Sequence, residues 1–498
     1  MKNKRRFWSF TFAVIAVGSL LISCRDMTES KSGSIVTEQS NEENPAEETL
    51  FAEDSLPDDL DFGGQTITVL YREEEADEFF MEAQTGDVVD DAVYRSNHNV
   101  RERLNIELAV VKKRGNAEDD RTAFINYVVD TVKAGDDAFQ LVACLTYNMP
   151  SLIQNGVLLN LLDVQYLDFG KPWWAQGLIE YGTLGGKLFF ASGDISLSLL
   201  KKTFCLYFNI DLLNDYGLES PYEKVHAGTW TKEVLSKMAV SAYKDLNGSS
   251  TADLDDQYGF ALYDRNHCNI FIGGFDLQVT EKDENGYPAV VFGSEKVADA
   301  VTWLCALFHN NNGIYYNKNS DAGTDLSVHE SLRKMFNEGR LLFISAEFSN
   351  AVFFRDMKYE FGVLPPPKWD ESQKGYYTLA RNIYSSFGIP VTVQNTDPVG
   401  AVMEAIASEN HRTLSPVYFE TALKVKYSRD AESAQMFDII KGGVKFNFGY
   451  TYHLIVGLTD HFVGSVRDNK PNWVSTYASI EPAAVSSIGK FIESIENA

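Results

Sequence analysis

Oxygen-bearing side chains recur at one regular spacing in the chain. Asp245, Asn247, Ser249, Asp253 and Asp256 occupy positions 1, 3, 5, 9 and 12 of the segment DLNGSSTADLDD. Hard oxygen donors at those offsets can wrap a calcium ion. Three departures weaken the match: Ser250 replaces the turn glycine at position 6, Ser249 replaces a charged ligand, and Asp256 is shorter than the usual chelating glutamate. The same composition makes an Asx-rich surface turn. A structural calcium and a metal-free turn both stand as readings.

Other chemistry is harder to place. The eight histidines include no HExxH, there is no GxSxG, and no GxGxxG follows a strand. Gly182–Lys187 (GTLGGK) is one residue short of a phosphate-binding loop, and Leu188 stands where a magnesium-binding hydroxyl belongs. Carboxylates are so numerous that no pair marks a glycosidase. The chain points to binding rather than turnover, with a surface glycosidase as the enzymatic alternative and a passive adhesin as the inert one.

Composition sets the scale. A chain of 498 residues exceeds one ordinary core, so two or three domains or lobes are expected. Hydrophobic and charged contents of 44% and 23% are those of a globular protein. The formal charge of −26 repels nucleic acid and does not suggest an anionic substrate. Cys144, Cys205, Cys268 and Cys305 sit among apolar residues with no CxxC spacing. They read as small buried hydrophobes, with disulfides as the alternative.

The beginning of the chain reads as an address. Residues 1–23 join a basic start to an uninterrupted apolar run, the layout of a secretory signal. The run closes in LISC, which resembles the lipobox of bacterial lipoproteins and implies acylation at Cys24. Losing the leader removes four basic residues and no acid, which takes the charge to −30. From Arg25 to Leu60, eleven acids face two bases, so residues 24–60 read as a lipidated end followed by a disordered acidic tether.

The elements that must position any site come next. Gln65–Tyr71, Asn105–Val111 and Phe139–Leu145 read as strands, alternating with helical spacing at Val89–Leu104 and Phe124–Val132. A further helix is expected over Leu152–Leu162. That alternation predicts an α/β sheet covered on both faces, with ligands meeting loops at the carboxyl ends of strands. Later, Thr229 reads as a helix N-cap, and Arg340–Ser345, Glu360–Leu364 and Ile383–Ile389 read as strands. Asp397-Pro398 opens another helix. Gly185–Asn209 reads as two apolar strands around a polar break, either a hairpin within one domain or a crossing between two lobes.

Several pieces in order resemble the extracellular solute-binding lipoproteins of bacterial ABC importers, carbohydrate type. They are the lipobox, Lys171-Pro-Trp-Trp before Gly186-Lys187-Leu188-Phe189, and the YFN ending at Asn209. Thr229-Trp230-Thr231, DLNG before Tyr258-Gly259, and Phe361-Gly-Val-Leu-Pro-Pro-Pro-Lys368 follow. Ser415-Pro-Val-Tyr-Phe-Glu420 and Lys426-Tyr-Ser-Arg-Asp430 complete the series. The resemblance implies a periplasmic-binding-protein-like fold of two α/β lobes joined by a multi-segment hinge. Lobe 1 would hold 61–184 plus 345–390, and lobe 2 would hold 185–344 plus 391–498. It implies a monomer tethered on the extracellular face of the cytoplasmic membrane, capturing a sugar or oligosaccharide for permease subunits, without cofactor or nucleic acid. The same fold binding a peptide or another small solute is the alternative.

Candidate ligand contacts follow from position on that scaffold. Tyr71, Thr146 and Tyr147 end strands of the first lobe, and Trp173 and Trp174 precede the first crossing. Asp194 lies in the polar break, Glu347 at the second expected crossing, and Asn382 with Tyr384 near the third. Aromatic faces stack on sugar C–H surfaces while carboxylates and amides bond hydroxyls.

Overall fold

β-Branched and apolar residues make β1 (Gln65–Arg72), β2 (Ile106–Lys113) and β3 (Leu141–Leu145) extended, and parallel pairing of β1 with both neighbours demands a helical crossover each time. The computed structural model describes residues 52–250, 252–316, 326–427 and 430–496; the expected leader, Cys24 and the tether up to residue 51 lie outside them. The first crossover helix, Val88–Leu104, is capped by Asp87, which accepts from the Val89 N–H, and it ends at Asn105 in the left-handed region. The second, Glu118–Lys133, buries Phe124, Val128 and Val132 on one face. The helix expected over Leu152–Leu162 instead spans Met149–Gln154 and stops before Gly156, whose φ of 65° a helix cannot continue.

A second sheet then forms from β4 (Phe204–Asn209), β5 (Tyr258–Ala261) and, beyond a small hairpin of β6 (Thr280–Lys282) and β7 (Pro288–Val290), from β8 (Ile314–Tyr315), β9 (Leu341–Glu347) and β10 (Phe361–Leu364). Its order is β10-β4-β9-β5-β8. β10 ends at Pro365, which has no N–H for a ladder. β11 (Thr378–Leu379) is short, and β12 (Ser385–Gly388) returns to the first sheet, antiparallel to β3, in the order β12-β3-β1-β2. The late strand β13 (Val444–Lys445) pairs with β11.

Three segments carry the chain between the sheets. Within Gly185–Asn209, Ala191 bridges Phe387 of the first sheet, a helical turn covers Ser198–Lys201, and β4 lies in the second sheet. The stretch is a crossing, although its first half is irregular rather than a strand. Ala380–Tyr384 is the second crossing, between β11 and β12. The third follows the helix Asp397–Arg412, which packs on Val88–Leu104, and precedes Ala431–Gly442, which packs on β10.

These positions correct the expected lobe boundaries. β9 and β10 belong to the second sheet, so 345–379 leave the first lobe, and Asp397–Arg412 joins it. β9 is buried along its whole length because it sits between β4 and β5, and its Ala346-Glu347 end stays in the ladder with β4. The tether also ends sooner than residue 60. Asp54 accepts two hydrogen bonds of 2.7 Å from Arg103, and Leu56 is buried, so this acidic stretch docks on the first lobe. Thr231, rather than Thr229, precedes the helix Lys232–Ser241. The four described cysteines are free and buried.

Gly193 is the tightest point of the first crossing. Its φ is 154°, and a Cβ there would lie 2.1 Å from the Trp173 carbonyl oxygen, which already accepts from the Asp194 N–H at 2.8 Å. Gly193→Ala is expected to cost about 3 kcal/mol of stability. A urea unfolding midpoint equal to the parent protein's would contradict that.

Candidate functional site

The carboxyl ends of β1, β3 and β5 converge on a cavity of about 600 Å³. Arg72 closes β1, Leu145 and Tyr147 follow β3, and Asn116, Glu118 and Arg121 come from the start of the helix after β2. The second lobe contributes Asn266 and Asn269 after β5, with Tyr450, His453, Leu454, Thr459 and Asp460 from its late helices. Arg381, Asn382 and Ile383 of the second crossing form the remaining wall. The cavity therefore touches both lobes and a segment that joins them.

A line of buried ion pairs runs behind that wall. Glu78 pairs with Lys201 at 2.7 Å, Glu75 with Lys202 at 3.4 Å, and Lys202 with Glu347 at 3.8 Å. Arg381 then reaches Glu347 at 3.0 Å and Asp264 at 3.1 Å. His267 and His329 lie 3.8 and 3.6 Å from Asp264. Burial pushes Asp264 up, but Arg381 and His267 overcome it and hold the carboxyl far below its usual range. Glu347 is pulled down to about 2 against its burial by Lys202, His267 and Arg381. Glu75 goes the other way: burial and the charge of Glu78 push it up to about 7, with Lys202 opposing.

Two of the nine expected contacts line this cavity. Tyr147 accepts a hydrogen bond from Arg121 and meets the His453 ring edge-on at 5.4 Å, lobe to lobe. Asn382 donates to the Tyr450 carbonyl at 3.1 Å. Glu347 sits just behind the wall as the partner of Arg381.

The other six lie elsewhere. Tyr71 is fully buried between Phe79 and Phe387, on the same face of β1 as Ile67 and Val69. Period-two alternation already put it on that apolar face; Arg72, one residue on, is the one that reaches the cavity. Thr146 donates to the Tyr384 carbonyl at 2.9 Å and lies 2.7 Å from the Ser386 hydroxyl, so it stitches β3 to the returning chain. Tyr384 is buried in the core. Trp173 and Trp174 both donate their indole N–H to Glu404, at 3.1 and 3.0 Å. Burial pushes Glu404 up to about 7, and the two indoles tie the Asp397–Arg412 helix to the first lobe. Asp194 accepts from Ser415 and pairs with His411, each at 2.6 Å. With Trp173 and Trp174 it lines a separate cavity of about 590 Å³ that shares no wall residue with the first.

The acidic loop is turned in on itself. Asp245 accepts from the Gly248 and Ser250 N–H groups, and Asn247 accepts from Ser249 while donating to Asp253. Ser249 donates to Asp253, and Asp256 is buried, accepting from Leu246 and Tyr243. Among the described residues, no three His, Cys, Asp or Glu side chains are grouped to hold a metal ion. The loop as it stands has the Asx-turn geometry.

Two predictions follow from these partners. Asp194→Ala is expected to lower stability by about 1–2 kcal/mol, through its lost hydrogen bonds, and to leave solute affinity unchanged. Calorimetric affinity and melting temperature separate the two, and weakened binding at constant stability would place Asp194 at the ligand. The second concerns pH. A carboxyl raised above its ordinary value stabilises the fold while protonated, and this contribution is lost as pH rises through the folded value. Glu75 and Glu404 both act this way, whereas Glu78 and Glu347, each held down at about 2, lose their contribution as pH falls from about 4.5 to about 2. Stability is thus expected to fall between about pH 5 and 8, and Glu75→Gln should remove roughly half of that fall. Identical profiles of urea midpoint against pH in both proteins would show that Glu75 does not titrate there.

No protein-family model and no curated protein matches the chain by sequence. Solved structures match it by fold. A cyclo/maltodextrin-binding protein complexed with maltotetraose aligns with a TM-score of 0.55 and 11% identity, covering 86% of this chain and 97% of that one. UspC of M. tuberculosis aligns at 0.53 and 16%, covering 84% and 100%. An ABC transporter solute-binding protein from Thermotoga lettingae, bound with α-D-tagatose, aligns at 0.52 and 14%, covering 86% and 100%. The chain thus has the periplasmic-binding-protein-like fold, two α/β lobes joined by a multi-segment hinge.

Proposed function

We propose that this protein captures a sugar or oligosaccharide between its lobes and delivers it to the permease of an ABC importer. The observation that carries this reading is the cavity at the carboxyl ends of β1, β3 and β5, walled by both lobes and by the second crossing. A ligand that touches both walls favours the closed arrangement by its added contacts, and closure presents a defined shape to a membrane partner. The sugar ligands named for the maltodextrin-binding and Thermotoga lettingae structures support the solute class. The lipobox-like LISC supports lipid attachment at Cys24 on the outer face of the cytoplasmic membrane.

The wall chemistry suits hydroxyls. Asn116, Asn266, Asn269 and Asn382 supply amides, each able to donate and accept. The Asn269 Oδ1 is buried with no hydrogen-bond partner in the protein, an acceptor a ligand hydroxyl can satisfy. Tyr147 offers a ring face beside His453. Binding, with no cofactor, is all this arrangement is asked to do.

Titration calorimetry against mono- and oligosaccharides tests the reading. At least one sugar should bind, and Asn269→Ala should weaken it by about tenfold, because a satisfied acceptor is lost. Its melting temperature should hold, since no protein partner is removed. Silence across the sugars, with binding of a peptide or another solute instead, would sink the sugar assignment.

A further inference from the structure

Three arginines and three carboxylates line the cavity, but among the described residues two of the arginines are not paired with a carboxylate, and this bears on which sugar is bound. Arg72 is 1% exposed, yet every partner of its guanidinium is neutral: Asn116, the Ile383 carbonyl at 3.3 Å and the Ser385 hydroxyl at 2.9 Å. Its Nε is buried with no partner at all. Arg121 donates to the Tyr147 phenol and lies over that ring, its guanidinium carbon 5.5 Å from the centroid. Among the described residues, neither arginine has a carboxylate within ion-pair distance, whereas Arg381 has two.

The cavity's own acids are occupied or remote. Glu75 is within electrostatic reach of Arg72 but forms its ion pair with Lys202, Asp460 lies 3.2 Å from His453, and Glu118 stands exposed at the rim, where water screens it. Burying a guanidinium without a counter-charge is costly, and a bound anion offsets that cost. The aromatic wall tells the same way. Tyr147 and Tyr450 are its only Phe, Tyr or Trp rings among the described residues, so stacking surface is modest while three arginines line the wall.

We infer that the solute is an acidic sugar, an oligosaccharide bearing a uronate carboxylate that Arg72 and Arg121 receive on the first-lobe wall. The inference rests on the sugar-binding reading and narrows it. It departs from what the net charge of the chain suggests, because Arg72 and Arg121 spend their hydrogen bonds on neutral partners.

The test is calorimetry with matched disaccharides, galacturonate- or glucuronate-containing against their galactose or glucose counterparts, at low and high sodium chloride. The uronate should bind about tenfold or more tightly than its neutral partner, and that ratio should shrink as salt rises. Arg121→Gln keeps a donor for Tyr147 but removes one of the two charges, and should lower the ratio severalfold. Equal or tighter binding of the neutral disaccharide overturns the inference and leaves the sugar reading standing. A uronate preference that Arg121→Gln leaves intact overturns the assignment to this wall. Binding of a non-sugar carboxylate with silence from every sugar overturns the sugar reading and the acidic sugar with it.

Discussion

Arg381 holds the molecule's centre by meeting two buried carboxylates from different strands. Glu347 closes β9 and Asp264 follows β5, while Arg381 itself lies on the second crossing. Removing a charge of this kind from water costs several kcal/mol unless a partner replaces the lost hydration. Here opposite charges meet in series: Lys201 with Glu78, Glu75 with Lys202, Lys202 with Glu347, and Arg381 with Glu347 and Asp264. The first lobe, two crossings and the second lobe are thus joined by one electrostatic line.

That constraint explains why the cleft forms where it does. The line lies along the crossing segments, where a rotation of one lobe against the other moves atoms least. Residues farther from it, Tyr147 on one lobe and His453 on the other, meet only through ring edges. Glu75 belongs to both systems, since it lines the cavity and pairs with Lys202.

The second constraint is a carboxyl shared by two indoles. Glu404 accepts from Trp173 and Trp174 and so fixes the Asp397–Arg412 helix on the first lobe, far from its neighbours in sequence. Adjacent tryptophans before a crossing suggested stacking on sugar. The structure spends them on a buried hydrogen-bonded joint, because an indole N–H removed from water needs an acceptor and a buried glutamate needs donors.

Local pattern was enough for most of the elements. Alternation and β-branching placed β1, β2, β3, β9 and β10, and the 3.6-residue period placed Val88–Leu104 and Glu118–Lys133, because these signals are carried by neighbours in the chain. The order of short motifs was enough for two lobes and a crossing at Gly185–Asn209. Which side chains reach the cavity was settled only in three dimensions. Tyr71 and Arg72 differ by one residue and face opposite sides of one strand, and both sides are buried. Arg121, Tyr450 and His453 carry no motif and become a site only when helices distant in sequence meet across the hinge. Sequence thus determined what each segment would become, since short-range sterics and burial act locally. Tertiary structure decided which charges would be paired with opposite charges and which would meet neutral partners, since that depends on distances between residues hundreds of positions apart.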